Sequence, residues 1–206
     1  MRVIAGSARG RQLKGPASRG TRPMSDKIKG ALFNALNSLG VAPVRALDLY
    51  AGTGSIGIEA LSRGAEWVDF VEQNAAAAAV VRDNLRLTKF ADRAAVHQTS
   101  VDRFLTAGGG VRRQKPYDFV ILDPPYADEG IAATLEQVGR SELVQSGAVV
   151  VIGHAPGVVL PTDVGRLTCL RHRCHGDSCY SIYEVVDVAA DRAHPAAPTA
   201  EDERTA

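Results

Sequence analysis

The sequence has few cysteines and no long apolar run, and both shortages restrict its class. Its three cysteines all lie between Cys169 and Cys179. An odd number in one short segment makes no disulfide framework and suits a reducing compartment. No stretch approaches the roughly 18 consecutive apolar residues of a membrane-spanning helix, and the first residues lead into arginine instead of an apolar signal core. We therefore expect a cytoplasmic protein.

The composition is that of an ordinary globular chain. Hydrophobic residues make up 45% of the 206 residues and charged residues 23%, which excludes a wholly disordered, collagen-like or coiled-coil protein. The length suits one domain, which we expect to be monomeric. We divide the chain into a basic N-terminal hairpin extension (residues 1–24), a main domain (25–188) and a disordered tail (189–206), because the tail contains Ala, Pro and charge without apolar periodicity.

Positive charge is concentrated at the N-terminus. Residues 1–30 hold eight basic side chains and one acidic one, a net charge of +7, while the remaining residues hold 16 basic and 22 acidic groups, a net charge of −6. This asymmetry indicates a polyanion-binding segment on a neutral-to-acidic body. A solvated basic terminus without a partner is the alternative.

Short apolar runs alternate with helical patterns through most of the chain. Buried strands are predicted at residues 44–50, 67–71, 94–97, 117–122 and 148–152, and helices at 56–63, 75–87, 101–105 and 131–138. An earlier helix is predicted to begin at Ser25 or Asp26 and to stop at Gly40. This alternation predicts a parallel sheet covered by helices on both faces, and the runs at 166–173 and 180–188 predict a final antiparallel hairpin.

A glycine pattern follows the first core strand. Gly52, Gly54 and Gly57 are spaced Gly-x-Gly-x-x-Gly where that strand meets a helix, and Glu72 ends the next strand, 20 residues after Gly52. Glycines let the backbone turn tightly and approach a ligand, and a carboxylate at this spacing accepts hydrogen bonds from the two hydroxyls of a ribose. The pattern is also that of nicotinamide enzymes, and a glycine turn can serve strand-to-helix packing alone.

Asp48 indicates which kind of adenosine-containing ligand the glycine loop binds. An acid among apolar strand residues needs a role, which is either to hold the glycine loop or to meet a cationic ligand. A dinucleotide carries a pyrophosphate, which an acid repels, whereas S-adenosylmethionine carries an ammonium and a sulfonium. The electrostatics therefore favour the methyl donor.

A second motif, Asp123-Pro124-Pro125-Tyr126, follows the fourth core strand. Consecutive prolines fix the backbone and remove its donors, which leaves the Asp123 carboxylate and the Pro124 carbonyl as an acceptor-only cluster. An exocyclic amine of a planar base needs such acceptors, and Tyr126 can stack on the base. Asp-Pro-Pro can also simply end a strand in a turn, but both motifs end core strands and are expected to face one crevice at the carboxyl edge of the sheet.

Together the two motifs resemble those of the amino-methylating S-adenosylmethionine-dependent methyltransferases. The N-terminal sequences are similar to the RsmD type, which methylates guanine N2 in 16S ribosomal RNA: Arg2-Val3-Ile4-Ala5-Gly6, Arg9-Gly10-Arg11, Arg22-Pro23-Met24-Ser25-Asp26-Lys27 and Ala31-Leu32-Phe33-Asn34. The resemblance covers about residues 1 to 188. It implies a Rossmann-like class I methyltransferase fold, an α/β architecture with a mostly parallel seven-stranded sheet and an antiparallel last strand. Met24, where Thr is usual, and Gly30, where Glu is usual, depart from the family pattern.

The site residues are assigned from the motifs and from this resemblance. The catalytic residues are Asp123, Pro124, Pro125 and Tyr126. The residues around the cofactor, S-adenosyl-L-methionine, are Asp48, Tyr50, Gly52, Gly54, Glu72, Gln73, Ser100, Val101 and Asp123. The RNA-binding residues are Arg2, Arg9, Arg11, Lys14, Arg19 and Arg22, and the partner is 16S ribosomal RNA or the assembling small subunit.

Three alternative functions fit the sequence less well. An adenine-N6 methyltransferase would use the same acceptors but favours a large target-recognition insert, and a glutamine methyltransferase usually has Asn in place of Asp123. A non-catalytic ribosome-assembly protein has no physical need for Asp123 or Glu72.

The segment of the predicted hairpin contains five residues that could bind a metal ion: Cys169, Cys174, Cys179, His172 and His175. Their spacing lacks the Cys-x-x-Cys pair of zinc sites, and alternate residues of a hairpin strand face opposite sides. We therefore predict no metal site.

Overall fold

The computed structural model describes residues 1–16, 24–108, 115–124 and 130–187. Within these ranges the helices are α1 Asp26–Ser38, α2 Ser55–Ser62, α3 Ala75–Thr88, α4 Val101–Thr106 and α5 Ile131–Arg140, with a short 3₁₀ helix at Ala91–Arg93. The strands are β1 Arg45–Leu49, β2 Trp67–Val71, β3 Ala94–His97, β4 Tyr117–Leu122, β5 Val144–His154, β6 Asp163–Val164, β7 Leu167–His175 and β8 Ser178–Val185. The predicted tail at 189–206 lies outside the described residues.

The strands form one sheet in the order β3-β2-β1-β4-β5-β8-β7-β6. The first five strands pair with one another in parallel, β8 runs antiparallel to β5, and β7 and β8 form the predicted antiparallel hairpin. Leu49 pairs with Val71 of β2 and with Leu122 of β4, so three neighbouring strands end at the same level. The mostly parallel α/β architecture is therefore confirmed.

The predicted number of strands was wrong by one. The sheet has eight strands in the part of the chain that the structure describes, because β6 adds a two-residue edge strand that pairs with Leu167 and Thr168. Two residues are too few to form an apolar run or an alternating pattern, so the sequence carries no local signal for this strand.

Helices cover both faces of the sheet, as the alternation of strands and helices predicts. β4 sends Phe119 and Ile121 to one apolar cluster, and it sends Val120 and Leu122 to the other. The first cluster includes residues of α1, α2 and α3, and the second includes residues of α4 and α5. Ser25 caps α1, since its side chain accepts from the amide of Ile28 at 3.3 Å. No helix in the described ranges is both long and apolar enough to cross a bilayer.

The N-terminal segment, residues 1–16, packs against the domain. The predicted hairpin is reduced to one antiparallel bridge between Arg2 and Gln12, and the residues between them form turns. Val3, Ala8 and Leu13 are buried in the first apolar cluster. The segment therefore belongs to the core that α1, α2 and α3 form on one face of the sheet.

Candidate active site

The glycine loop connects β1 to α2 through backbone conformations that favour glycine. Gly52 and Gly54 have φ angles of 55° and 75°, and Tyr50 also adopts a positive φ of 59°. At Gly57 the constraint is space instead, because a Cβ there would overlap the ring of Phe70. The first two glycines therefore form the turn, and the third lets α2 approach β2 closely.

Asp48 holds this loop from beneath. Its carboxylate accepts a hydrogen bond from the amide of Gly57 at 2.9 Å, and the residue is 2% exposed. Burial raises the pKa of Asp48 well above its usual range, and the nearby carboxyls of Asp123 and Glu72 raise it further. Of the two roles that the sequence left open for Asp48, loop support is the one that this hydrogen bond provides.

Glu72 braces the same loop from the end of β2. One carboxylate oxygen accepts from the amide of Gly52 at 2.8 Å, and the other accepts from the amide of Asn74 at 2.8 Å. Asn74 in turn caps α3 by accepting from the amides of Ala76 and Ala77. A carboxylate has about four acceptor positions, so Glu72 can still accept from two further donors while it braces the loop.

The other predicted cofactor residues lie at the same edge of the sheet. Ser100 caps α4 by accepting from the amide of Arg103 at 3.3 Å, and Val101 is buried behind it. Gln73 is exposed beside Glu72. The hydroxyl of Tyr50 lies 3.2 Å from that of Thr134 on α5, which joins the loop to the opposite helical layer.

The predicted acceptor cluster of Asp123 and Pro124, called the acceptor corner below, lies at the end of β4. Desolvation raises the pKa of Asp123 to about 6. The Asp123 carboxylate packs against Gly153 of β5, where a Cβ would overlap one of its oxygens and would lie 3.5 Å from the terminal methyl of Met24. Met24, one of the two departures from the family pattern, is therefore a buried neighbour of this corner. Pro124 is buried, whereas Pro125 and Tyr126 lie outside the described residues.

The sequence analysis did not predict the role of Glu59 and Lys29, which hold the N-terminal segment against α2 and are called the clamp below. Glu59 of α2 is fully buried and accepts from the amides of Ile4 and Ala5 at 2.7 and 2.9 Å, and from Nε of Arg63 at 2.8 Å. Nζ of the fully buried Lys29 lies 3.8 Å from Glu59. A charged residue inside the apolar sequence of α2 was the available signal for this clamp.

The clamp connects the N-terminal segment to the glycine loop. Lys29 donates to the carbonyl of Arg2 at 2.8 Å and to that of Ser55, the first residue of α2, at 3.5 Å. Asn84 of α3 bonds both the amide and the carbonyl of Lys14, and it also donates to the carbonyl of Thr53 at 2.9 Å. The buried side chains of Lys29 and Asn84 thus bridge the segment to the first residue of α2 and to the turn before it.

Four of the six predicted RNA-binding residues can be placed, and all four are exposed. Lys14 pairs with Asp83 at 2.7 Å, Arg2 lies 3.5 Å from Asp26, and Arg11 donates to the carbonyl of Leu87 at 3.1 Å. Arg19 and Arg22 lie outside the described residues. Three of these exposed basic side chains therefore contact residues of α1 or α3.

The prediction that the cysteines form no disulfide was wrong. Cys174 and Cys179 form a disulfide across the β7–β8 hairpin. A two-residue turn makes these cysteines directly opposed partners, and directly opposed residues of an antiparallel pair lie on the same face of a sheet. Cys169 is the free cysteine of the described residues.

Comparison with known proteins agrees with this architecture. The family model described as conserved hypothetical protein 95 matches residues 1–184. The ribosomal RNA small subunit methyltransferase D of Haemophilus influenzae is 40% identical over 186 residues, which cover 89% of this chain and 93% of that protein. The protein of the same name from Escherichia coli K12 is 29% identical over 184 residues, 89% of each chain.

Solved structures of related proteins share this architecture. A chain from Escherichia coli described as the methyltransferase yhhF is 28% identical, with a TM-score of 0.75 over 90% of this chain and 98% of that one. The expected Rossmann-like methyltransferase fold is therefore confirmed. The chain belongs to the conserved hypothetical protein 95 family, which is the RsmD family of ribosomal RNA methyltransferases that its motifs resemble.

Proposed function

We propose that this protein transfers the methyl group of S-adenosyl-L-methionine to the exocyclic N2 amine of a guanine in 16S ribosomal RNA. The observation that carries the proposal is the position of Asp123, which directly follows β4 next to the strand that leads into the glycine loop. The relatives named ribosomal RNA small subunit methyltransferase D support this substrate class.

The residues present fit the methyl donor. A Cβ at Gly52 would meet only the carbonyl of Tyr50, at 3.9 Å, so the loop backbone leaves open space beside it. Glu72 keeps acceptor capacity for two ribose hydroxyls while it braces the loop. When bound, S-adenosylmethionine supplies an electrophilic methyl group on a sulfonium, and the acidic side chains at this edge favour such a cation.

Asp123 and the Pro124 carbonyl perform the acceptor half of the reaction. Each can accept a hydrogen bond from one proton of the guanine amine, which localises the nitrogen lone pair for attack. As the nitrogen–carbon bond forms and the carbon–sulfur bond breaks, the amine loses one proton, and the Asp123 carboxylate can take it. Positioning of the amine in line with the methyl group supplies much of the rate.

The test is a methylation assay on small-subunit RNA, both free and in assembled subunits from cells that lack the gene. Labelled donor should yield N2-methylguanosine in a nucleoside digest analysed by mass spectrometry. Asp123→Ala should nearly abolish turnover while calorimetry finds donor affinity unchanged within about twofold, because the glycine loop remains. The control is Asp102→Ala, which removes an exposed carboxylate on α4. N6-methyladenosine as the product, or wild-type turnover in Asp123→Ala, would contradict the proposal.

We further propose that the exposed basic residues of the N-terminal segment contact RNA phosphates. Truncation cannot test this cleanly, because Val3 and Leu13 are core residues. Substitution of Arg9 and Lys14 by glutamine removes charge without removing the core. Each lost phosphate contact should reduce the salt slope of RNA binding by about 0.7 on a single strand. Arg140→Gln, an exposed arginine on α5, should leave the slope unchanged, and equal slopes in all variants would refute the assignment.

A further inference from the structure

The tip of the β7–β8 hairpin carries a group of metal-ligating side chains that methyl transfer does not use. His172, Cys174 and Cys179 each bring one ligand atom into a group whose members all lie within 4.8 Å of one another. We call these three residues the hairpin cluster. His172 and Cys174 are exposed, whereas Cys179 is buried, so the cluster is accessible from solvent on one side.

Strand geometry explains why these residues converge. His172 and Cys174 are two positions apart on β7, and alternate residues of a strand share a face. Cys179 is the direct partner of Cys174 on β8, and Ser181 is the direct partner of His172. Four side chains from two strands therefore form a compact patch, and Nε2 of His172 lies 3.3 Å from the sulfur of Cys174.

A chain of hydrogen bonds orients the imidazole of His172 toward the sulfur atoms. Nδ1 of His154 lies 2.9 Å from the carbonyl of Ala155, which can only accept, so Nδ1 carries the proton and Nε2 of the neutral ring accepts. Ser181 lies 3.1 Å from that Nε2 and donates its hydroxyl proton to it. The Ser181 oxygen then accepts from Nδ1 of His172, also at 3.1 Å. In the neutral His172 ring, Nε2 is left with its lone pair directed at Cys174.

This arrangement matches the way proteins prepare a histidine for a metal ion. A ligating imidazole usually donates its other ring N–H to a fixed acceptor, which sets the tautomer and the ring orientation. Here the fixed acceptor is Ser181, which is 2% exposed. Zinc–sulfur and zinc–nitrogen bonds of about 2.3 and 2.1 Å place tetrahedral ligand atoms roughly 3.5–4 Å apart, close to the sulfur–nitrogen distance in the cluster.

Contrary to the prediction of no metal site from the sequence, we propose that the hairpin cluster is a thiol-dependent binding site for Zn²⁺, with His172, Cys174 and Cys179 as ligands and water in the fourth position. Two thiolates and an imidazole form a donor set that Zn²⁺ prefers over the hard cations Mg²⁺ and Ca²⁺. The disulfide described above is the metal-free, oxidised form of the same site. Its sulfur atoms are bonded to each other and are not thiolates.

A dithiol reductant converts the oxidised, disulfide form into the form that binds the metal. A dithiol transfers two electrons and two protons to the Cys174–Cys179 bond and itself becomes a disulfide, which leaves two thiols on the hairpin. Binding of Zn²⁺ then releases the two thiol protons to solvent as the zinc–sulfur bonds form. The site is therefore expected to load in a reducing environment and to release its metal on oxidation.

The test is a Co²⁺ titration of the full-length protein, reduced with a phosphine and then freed of reductant under argon. One Co²⁺ per chain should bind with a thiolate-to-cobalt charge-transfer band and the visible bands of a tetrahedral site, and Zn²⁺ should displace it. The oxidised protein should give no such band. Cys174→Ser and Cys179→Ser should lose the band. Ser181→Ala should keep the band but lower the affinity for Co²⁺ by about 10–100-fold, which is the usual effect of removing the hydrogen-bond partner of a metal ligand.

Two controls test the specificity of the cluster. Cys169→Ser removes the remaining cysteine, and His175→Ala removes a histidine of the same hairpin whose ring stacks on Tyr180. Both should bind Co²⁺ as the wild type does, and far-ultraviolet circular dichroism should be the same for all variants. The proposal is overturned if the reduced wild type gives no charge-transfer band, if the oxidised protein binds Co²⁺ equally well, or if Cys169→Ser loses the band.

Discussion

Glu59→Ala is expected to destabilise this protein more than the loss of any exposed charge, because Glu59 is the central acceptor of a buried cluster. The substitution orphans the amides of Ile4 and Ala5 and removes the carboxylate nearest to the ammonium of Lys29. Lys29 is fully buried, and among the described residues it then keeps two backbone carbonyls as hydrogen-bond partners and Asp26 as its remaining acidic neighbour. The N-terminal segment thereby loses one of its two attachments to α2, and the hydrogen bonds of residues 5–8 to Ser62 remain.

The magnitude follows from the cost of leaving a charge buried without its partner. Removal of one member of a buried ion pair typically costs about 3–5 kcal/mol in the free energy of unfolding. Desolvation already lowers the pKa of Lys29, and the Glu59 carboxylate opposes that shift, so the pKa falls further in the variant. A lowered lysine pKa means that the fold gains stability as pH rises toward the ordinary lysine value. The penalty of Glu59→Ala should therefore shrink with increasing pH.

Urea denaturation followed by circular dichroism measures the effect. Glu136→Ala is the matched control, since Glu136 forms an exposed ion pair with Arg140 one helical turn away, and it should cost no more than about 0.5 kcal/mol. In a Lys29→Met background Glu59→Ala should cost at least about 1 kcal/mol less than in the wild type, as expected for directly coupled residues.

Limited trypsin digestion gives an independent measure of the N-terminal segment. The variant should be cut after Arg9 or Arg11 faster than the wild type under native conditions, because the segment opens locally more often once its bonds to Glu59 are lost. A loss of stability under about 1 kcal/mol, or an equal penalty with and without Lys29, would refute the argument that Glu59 acts by compensating a buried charge.

Three further outcomes are expected. Glu72→Ala should weaken donor binding, since each hydrogen bond to a charged acceptor contributes about 1.5–3 kcal/mol, and calorimetry that finds unchanged affinity would exclude the ribose role. The single-turnover rate should fall as pH drops through about 6, because protonation of Asp123 removes the acceptor, and the fall should be absent in Asp123→Asn if that variant turns over. Gly30→Ala should raise the free energy of unfolding by about 0.5–1 kcal/mol, since a Cβ there meets only Ile4, at 3.9 Å, within α1; an unchanged thermal midpoint would argue against it.

The sequence by itself determined the elements whose signals are local. Apolar runs placed the parallel strands, and Ser25 marked the start of α1. The spacing of Gly52, Gly54 and Gly57 marked the turn between β1 and α2, because backbone conformation and close helix packing depend on residues a few positions apart. The motifs at the ends of β1 and β4 could be placed at one edge, since parallel strands joined by helices present their carboxyl ends together.

Only the tertiary structure decided which distant residues meet. Glu59 contacts residues 54 and 55 positions away, and no local pattern gives the partner of a buried charge. The Cys174–Cys179 pair depended on the exact register of the hairpin, where a shift of one residue places a side chain on the other face of the sheet. Burial and pairing are set by the whole fold, so Asp48 and Glu72 could be singled out from the sequence, but their role as braces of the glycine loop could be read only from their hydrogen bonds to Gly57 and Gly52.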